Sequence, residues 1–146
     1  LPAGSTGNLF HMNRPAVRDF ALLVLRFVLG AVFVAHGYRR WFETGMARSA
    51  AQFAEWGVPQ PKLSAYLAGS VELIGGALLV IGLLTTLVAG VLALLAAAAA
   101  YFVHLDHGFF AEAGGVEYPV VLASALFIVV VFGAGRASLD GVLTRA

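Results

Sequence analysis

The stretch "FALLVLRFVLGAVFVAHG", residues 20–37, decides the class of fold, because Arg26 is the only Asp, Glu, Lys or Arg in it. A helix needs about 20 predominantly apolar residues to cross the hydrocarbon core of a bilayer. Residues 66–84, 86–105 and 118–135 have a similar length and composition. The sequence therefore predicts an all-α protein, a bundle of four transmembrane helices.

The composition agrees with a place in the lipid bilayer. The 146 residues are 60% hydrophobic and 12% charged, whereas charged residues make up about 25% of an ordinary soluble domain. The net charge of +1 gives no electrostatic reason to expect a nucleic acid partner. The chain has no cysteine, so it cannot form a disulfide or a thiolate-ligated cluster. Any redox chemistry would need a bound cofactor or a partner protein.

The chain divides into a short leader and one membrane domain. Residues 1–11, "LPAGSTGNLFH", run directly into a methionine and are expected to be a linker and cloning remnant. Residues 12–146 form the single four-helix domain. "GLLTT", residues 82–86, leaves so little chain between the second and third spans that they must form a tight antiparallel hairpin.

A short amphipathic segment separates the first two spans. In "MARSAAQFAEWGVPQPK", residues 46–62, apolar side chains recur at helical spacing and polar ones take the other side. This pattern predicts an interfacial helix. Just before it, Arg39 and Arg40 are expected to reach lipid headgroups, with Trp41 in the aromatic belt. We expect a multi-pass protein of the bacterial plasma membrane whose termini are cytoplasmic.

Six ionisable side chains in or beside the spans are unusual, because such groups in a membrane commonly face a bundle interior and find partners. They are Arg26, His36, Glu72, His104, His107 and Glu117. Antiparallel connectivity places the last five near one membrane face, which predicts an enclosed polar chamber. Arg26 lies about 15 Å deeper than His36 along the same helix. Its most plausible partner is Glu72.

Helical spacing predicts that three helices turn a stripe containing polar residues inward. The stripes are Gly69, Glu72 and Gly76; Ala97, Tyr101, His104 and Gly108; and Glu117, Val121, Ser124 and Ile128.

Structural roles compete with each functional one. Arg26 and Glu72 could be an ion pair that sets helix register, and Glu117 could serve the dipole of the fourth helix. Tyr101 could be a packing or belt residue. Imidazoles could hold a metal, for which His104 and His107 are the candidates, but His-x-x-His at a helix end is a common pattern. We expect no metal.

The sequence resembles the DoxX family. "LRFVLGAVFVAHGYRRW" is similar to the opening motif of that family, and five further segments follow in the family's order. They are "EWGVPQP", "VELIGGALLVIGLLT", "HLDHGFF", "EYPVVL" and "GAGRASLDGVL". The resemblance covers residues 18–143.

The resemblance implies a small membrane protein related to the membrane subunit of thiosulfate-quinone oxidoreductase and associated with oxidative and thiol stress. The family's Arg, His and Glu motif positions fall on Arg26, His36 and Glu72, and later ones on His104 and Glu117. On this basis His36 and Glu72 are the candidate catalytic residues, relaying protons. Ligand-binding candidates are Arg26, Tyr101, His104 and Glu117.

The first hypothesis is a subunit of a quinone-linked oxidoreductase system that binds either a quinone, which would be its cofactor, or a small sulfur species. Its expected partners are the lipid bilayer, other membrane or soluble redox proteins, and further copies of the chain. The second hypothesis is a noncatalytic membrane anchor for soluble redox enzymes. The third is a carrier for a lipid or small solute.

Overall fold

The computed structural model describes the backbone of residues 5–145 and the side chains of residues 15–145. Residues 5–145 contain six α-helices: α1 (Ser5–Tyr38), α2 (Met46–Glu55), α3 (Pro61–Ile81), α4 (Thr85–Ala99), α5 (Glu117–Phe132) and α6 (Leu139–Arg145). Two π-helical segments, Arg39–Thr44 and Ala100–His104, continue α1 and α4, and short 3₁₀ turns occupy Leu105–His107 and Ala111–Ala113.

The leader predicted for residues 1–11 lies partly outside the described residues, which begin at residue 5. From there the backbone is already part of α1. The division of the chain at residue 11 stays a prediction.

The predicted all-α membrane fold is confirmed. Within the described part of the chain, three continuous helical stretches are long and apolar enough to cross a membrane: Pro15–Thr44, Pro61–Ile81 and Thr85–His107. The fourth apolar helix, α5, has 16 residues and a length of about 24 Å. It ends earlier than predicted because Gly133 takes a φ of +78°, which breaks the helix.

Glycines let α1 and α3 pack with their backbones almost in contact. A Cβ atom on Gly76 would lie 2.7 Å from the carbonyl oxygen of Gly30, and one on Gly37 would lie 2.6 Å from the backbone nitrogen of Leu73. Each helix presents its glycines seven residues apart, Gly30 and Gly37 against Gly69 and Gly76. Such close approach favours helix association in lipid, where dispersion contacts replace the hydrophobic drive.

The α3–α4 hairpin turns tightly, as the sequence predicts, with Gly82 and Leu84 in the left-handed conformation. Close to the turn the two helices are in contact, because a Cβ on Gly75 would lie 3.4 Å from Leu92. The main core continues from there to α1 and α5. Its buried side chains are Leu29, Phe33, Leu79, Val88, Ala89, Leu92, Leu126 and Val129.

The predicted interfacial helix is α2. Met46 and Phe53 bury one side of it against Ala65 and Ala68 of α3, whereas Arg48 on the other side is exposed. The helix is therefore docked on the end of the bundle where α1 ends and α3 begins. We call this end the α2 end, and the opposite one, with the α3–α4 turn and α6, the α6 end.

The close contact of α1 with α3 predicts that a larger residue at Gly76 lowers the stability of the fold. Gly76→Ala should destabilise the protein by about 1–3 kcal/mol, because the methyl group meets backbone that has little room to move. Thermal unfolding in detergent measures the effect. Gly90→Ala is the matched control, since nothing lies within 4 Å of a Cβ there; it should be neutral or stabilising. Equal destabilisation by both substitutions would contradict the proposed packing.

Candidate functional site

A cavity of about 600 Å³ lies between α3 and α4 at the α2 end of the bundle. Most of its lining is apolar and comes from three helices. Leu67, Ala68 and Val71 of α3 and Val91, Leu94, Leu95, Ala98 and Ala99 of α4 form its walls, and Phe53 and Trp56 lie at the α2 side. Its polar lining side chains are Arg40, Glu72, Ser64 and His104. The volume falls in the range usual for small-molecule sites.

Arg40 and Glu72 form a two-point ion pair in the cavity wall. Arg40 Nη2 lies 3.2 Å from Glu72 Oε1, and Arg40 Nε lies 3.4 Å from Oε2. The side chain of Glu72 is 9% exposed and that of Arg40 20%. The Arg40 guanidinium also stacks 4.9 Å from the ring centre of Phe53. This pairing neutralises a carboxylate that would otherwise be costly inside the bilayer.

Both basic side chains of the cavity lie on π-helical segments. Arg40 belongs to Arg39–Thr44, and His104 ends Ala100–His104. A π-helix forms i to i+5 hydrogen bonds, so its wider turn shifts the faces that follow it, and such turns are frequent at functional sites. Here the shift turns Arg40 inward, contrary to the predicted contact with headgroups. Arg39 stays exposed and pairs with Glu43 on the surface.

His104 has a fixed orientation. Its Nδ1 lies 2.6 Å from the carbonyl oxygen of Gly114. A carbonyl oxygen only accepts hydrogen bonds, so Nδ1 carries the hydrogen and donates it. Nε2 is therefore the nitrogen that remains for a ligand or water, as a lone pair in the neutral ring or as a second donor in the cation.

Glu72 and His104 share the cavity but lie at different depths. Both residues lie on the α2 side of the contact between Gly75 and Leu92. Glu72 is three residues from that contact along α3, and His104 is twelve residues from it along α4 and its π-helical continuation. At 1.5 Å per residue this separates them by roughly 13 Å along the bundle. The sequence places both residues towards one membrane face with Glu72 the deeper of the two, and the helical rise gives the same order. They mark the deep and shallow ends of one elongated cavity.

His36 lies outside this cavity, in a groove of about 560 Å³ on the outer side of α1. Its Nε2 is 3.2 Å from the hydroxyl oxygen of Tyr118 on α5. The side chains predicted to share one enclosed chamber are thus divided between the α3–α4 cavity, which Glu72 and His104 line, and this outer groove, which His36 lines.

Of the three predicted inward stripes, the one on α5 faces outward and the one on α4 is divided. Tyr101 is 68% exposed and packs edge-on against Phe102 rather than in the cavity. His104 of the same stripe lines the cavity, because the π-helical turn Ala100–His104 shifts the face between Tyr101 and His104. On α5, Val121 and Ser124 are exposed as well. The third stripe is confirmed, since Gly69, Glu72 and Gly76 of α3 are all buried.

Glu117 organises the loop that enters α5. Its carboxylate accepts a hydrogen bond of 2.9 Å from the backbone N–H of Ala111, and its own N–H donates to the carbonyl of Phe109. It lies outside the lining of the Glu72 cavity. A role in ordering the 105–116 loop is therefore what its contacts support.

Arg26 does not pair with Glu72, so that prediction is wrong. It is fully buried towards the α6 end, where its guanidinium donates to the carbonyls of Leu79, Val80 and Ala137. Two of these are last-turn carbonyls of α3, which lack partners within their own helix. The guanidinium thus caps α3 and ties it to the segment before α6. A Cβ on Gly82 would collide with this group.

Asp140 of α6 completes the arrangement by capping α4. Its two carboxylate oxygens accept hydrogen bonds from the N–H groups of Leu84, at 2.9 Å, and Thr85, at 2.8 Å. Burial alone would raise the pKa of Asp140, but the amides of Thr85 and Leu84 and the charge of Arg26 outweigh it and lower the pKa. Arg26 and Asp140 therefore fasten the α3–α4 turn to α6.

The candidate metal residues do not form a shared site. His104 and His107 each place Nδ1 on a backbone carbonyl, that of Gly114 and that of Val103. Among the described residues there is no group of three or more His, Cys, Asp and Glu side chains that could hold a metal ion.

Sequence reasoning missed Arg40, Tyr118 and Asp140. A charge deep in an apolar span needs a partner, and for Glu72 and Arg26 the partner groups include charged residues just outside the predicted spans. That position is the signal for Arg40 and Asp140, whereas no sequence signal marks Tyr118, the first residue of the fourth predicted span.

Taken together, the fold and cavity define a small multi-pass membrane protein with an internal site between two of its spans. The chain belongs to the DoxX family, whose model matches residues 21–105. One similar protein, an uncharacterized protein of Haemophilus influenzae, is 34% identical over 132 residues, covering 88% of this chain and 94% of that protein. A second from the same organism is 30% identical over 127 residues, covering 86% and 84%. No solved structure matches the chain.

The contacts of Asp140 predict that its contribution to the stability of the fold depends on pH. Asp140→Asn should lower stability by about 1 kcal/mol at neutral pH, because the cap weakens and the charge facing Arg26 disappears. A lowered folded-state pKa means that the ionised carboxylate stabilises the fold above an ordinary aspartate pKa of about 3.9 and stops doing so as pH falls through the folded-state value.

Thermal unfolding between pH 7 and pH 3 tests this expectation. The difference between the Asp140→Asn variant and the unsubstituted protein should narrow as pH falls below about 4. Asp106→Asn, an exposed aspartate in the 105–116 loop, is the control and should change little. A difference for Asp140→Asn that is constant with pH would rule out the charge effect.

Proposed function

We propose that the chain is the membrane subunit of a quinone-linked oxidoreductase system and that the cavity between α3 and α4 binds the quinone ring. The observation that carries this proposal is one cavity of about 600 Å³ that combines apolar walls with the buried Arg40–Glu72 pair. Quinones have the matching chemistry, namely a flat apolar ring with carbonyl oxygens that accept hydrogen bonds.

The charge balance of the site favours a neutral ligand over a small sulfur anion. The positive charge of Arg40 is already matched by Glu72 at 3.2 Å, so the pair has no net charge to offer an anion. An anion among Leu67, Leu94 and Leu95 would have no positive charge to pair with. Removing an unpaired charge from water into an apolar site has a large free-energy cost. A neutral ring would lose little on entering these walls.

Arg40 has donors to spare for a carbonyl oxygen. Two of its five guanidinium N–H groups point to Glu72. The remainder are available on the same planar group, and Glu72 and Phe53 hold that plane in position. Nε2 of His104 supplies a second polar contact at the shallow end. Arg40 is therefore the residue to which we assign ring recognition.

Protons for the reaction are assigned to the acid and imidazole groups around the cavity. Reducing a quinone to its quinol consumes two electrons and two protons, and we assign the electrons to a reduced cofactor of a partner protein. Glu72 and His104 line the cavity and can exchange protons there. We assign proton uptake at the outer groove to His36, which is hydrogen-bonded to Tyr118.

We also propose a bacterial plasma membrane location with cytoplasmic termini, an orientation on which the arginine and lysine residues beside the spans bear. Four such residues flank the α6 end: Arg14, Arg18, Arg136 and Arg145. Four others, Arg39, Arg40, Arg48 and Lys62, flank the α2 end, so the number of basic residues alone favours neither orientation.

Trp56 allows a direct test of quinone binding, because it lines the cavity whereas the other tryptophan, Trp41, packs against Tyr66. Quinones quench tryptophan fluorescence. In vesicles, a Trp41→Phe protein that keeps Trp56 should be quenched saturably by a ubiquinone or menaquinone analogue. A Trp56→Phe protein that keeps Trp41 should show only the linear quenching of an interfacial tryptophan.

Adjacent arginines provide matched variants. In the Trp41→Phe background, Arg40→Gln should weaken quinone binding about tenfold, since a charge-assisted hydrogen bond is lost. Arg39→Gln, which removes an exposed arginine outside the cavity, should leave binding unchanged. Linear quenching of Trp56 alone would refute quinone binding in the cavity and favour the anchor or carrier hypothesis.

A further inference from the structure

We propose that the quinone enters this cavity sideways, from the hydrocarbon core of the bilayer between α3 and α4, and that Ala98 sets the width of the ring that can pass. This inference rests on the proposed function and adds to it the route of the ligand and a residue that determines specificity.

The cavity exists because α3 and α4 separate towards the α2 end. Near the turn they touch, with Gly75 against Val88 and Leu92. Beyond that contact the facing residues line the cavity instead of one another, from Ser64 to Glu72 on α3 and from Val91 to His104 on α4. The space is a wedge whose closed end lies towards the α3–α4 turn.

The open side of the wedge faces lipid. Leu67 on α3 is 56% exposed and Leu94 on α4 is 73% exposed, although both line the cavity. Leu94 lies near the middle of the continuous helical stretch Thr85–His107, so acyl chains of the membrane surround it. A molecule dissolved in the membrane therefore meets the cavity without passing through water.

The side towards water is covered. Phe53 and Trp56 at the end of α2, with Val58 after it, line the cavity there. Phe53 is buried and packs 5.7 Å from the ring centre of Trp56. A water-soluble ligand would have to displace this aromatic cover, whereas a lipid-soluble one would not.

Ala98 is a small side chain at the opening between α3 and α4. It lines the cavity and is exposed, and it stands across from Leu67 at a similar depth. Measured from the contact of Gly75 with Leu92, the two residues lie within about 3 Å of each other along the bundle. A larger side chain at Ala98 would project into the opening between the helices.

The same geometry gives the bound ligand an orientation. Its carbonyl end would lie against Arg40, at the wall formed with Glu72, and its isoprenoid tail would leave between Leu67 and Leu94 into the bilayer. The tail then stays among the acyl chains, so the protein cavity needs no space for it. The ring alone has to fit, so ring width is the property that Ala98 selects.

Ala98→Phe and Ala97→Phe test the proposal in the Trp41→Phe protein. Ala97 is the adjacent residue, is exposed, and lies outside the cavity lining, so it receives the same substitution at the same depth. Ala98→Phe should weaken saturable quinone quenching of Trp56 about tenfold. Ala97→Phe should leave it unchanged, and Ala98→Val should fall between them.

A second measurement uses the membrane itself as the probe. In vesicles of phosphatidylcholine brominated on its acyl chains, bromine quenches a tryptophan that the chains can approach. Ala98→Phe should reduce quenching of Trp56, and Ala97→Phe should not. This readout needs no quinone, and circular dichroism and size-exclusion chromatography check that each variant folds.

The outcomes separate the two proposals. Saturable quinone quenching that Ala98→Phe and Ala97→Phe affect equally would overturn the lateral route while leaving quinone binding in place. An absence of saturable quenching in every protein would overturn the proposed function. If acyl-chain bromine then still distinguishes Ala98 from Ala97, the passage stands as an opening to lipid without quinone as its ligand.

Discussion

A charge enclosed by a membrane protein must be paired or hydrogen-bonded, and this constraint explains the arrangement at both ends of the bundle. Glu72 is neutralised by Arg40, and Arg26 is held by carbonyls at the end of α3 and by the nearby charge of Asp140. Neither solution lies within a single helix. Each joins parts of the chain that are distant in sequence, so satisfying the charges also fixes how the helices meet.

The two ends use this constraint differently. At the α6 end these contacts hold helix ends together: Arg26 caps α3, Asp140 caps α4, and Gly82 leaves room for the guanidinium. At the α2 end the ion pair stands in the wall of a cavity. The first arrangement is what a structural lock requires, and the second leaves polar groups where a ligand can meet them.

Close packing of α1 on α3 makes the cavity possible. With glycine at Gly30, Gly37, Gly69 and Gly76, the two backbones approach closely enough for Arg40 to pass beside α3 and reach Glu72. The tight α1–α3 pair on one side and the α4–α5 pair on the other leave the wedge between α3 and α4. Belonging to the DoxX family is consistent with this membrane architecture, and the wedge supplies a physical basis for a lipid-soluble ligand.

The sequence by itself determined the class of fold, the interfacial helix, the tight hairpin and the buried stripe around Glu72, because hydrophobic length and α-helical periodicity are local properties. Only the tertiary structure decided which charges pair. Arg40 and Asp140 reach their partners across 32 and 55 residues of sequence, and no periodicity encodes that choice. It also decided that Tyr101 faces outward while His104 lines the cavity, since a π-helical turn changes the face without changing the residues.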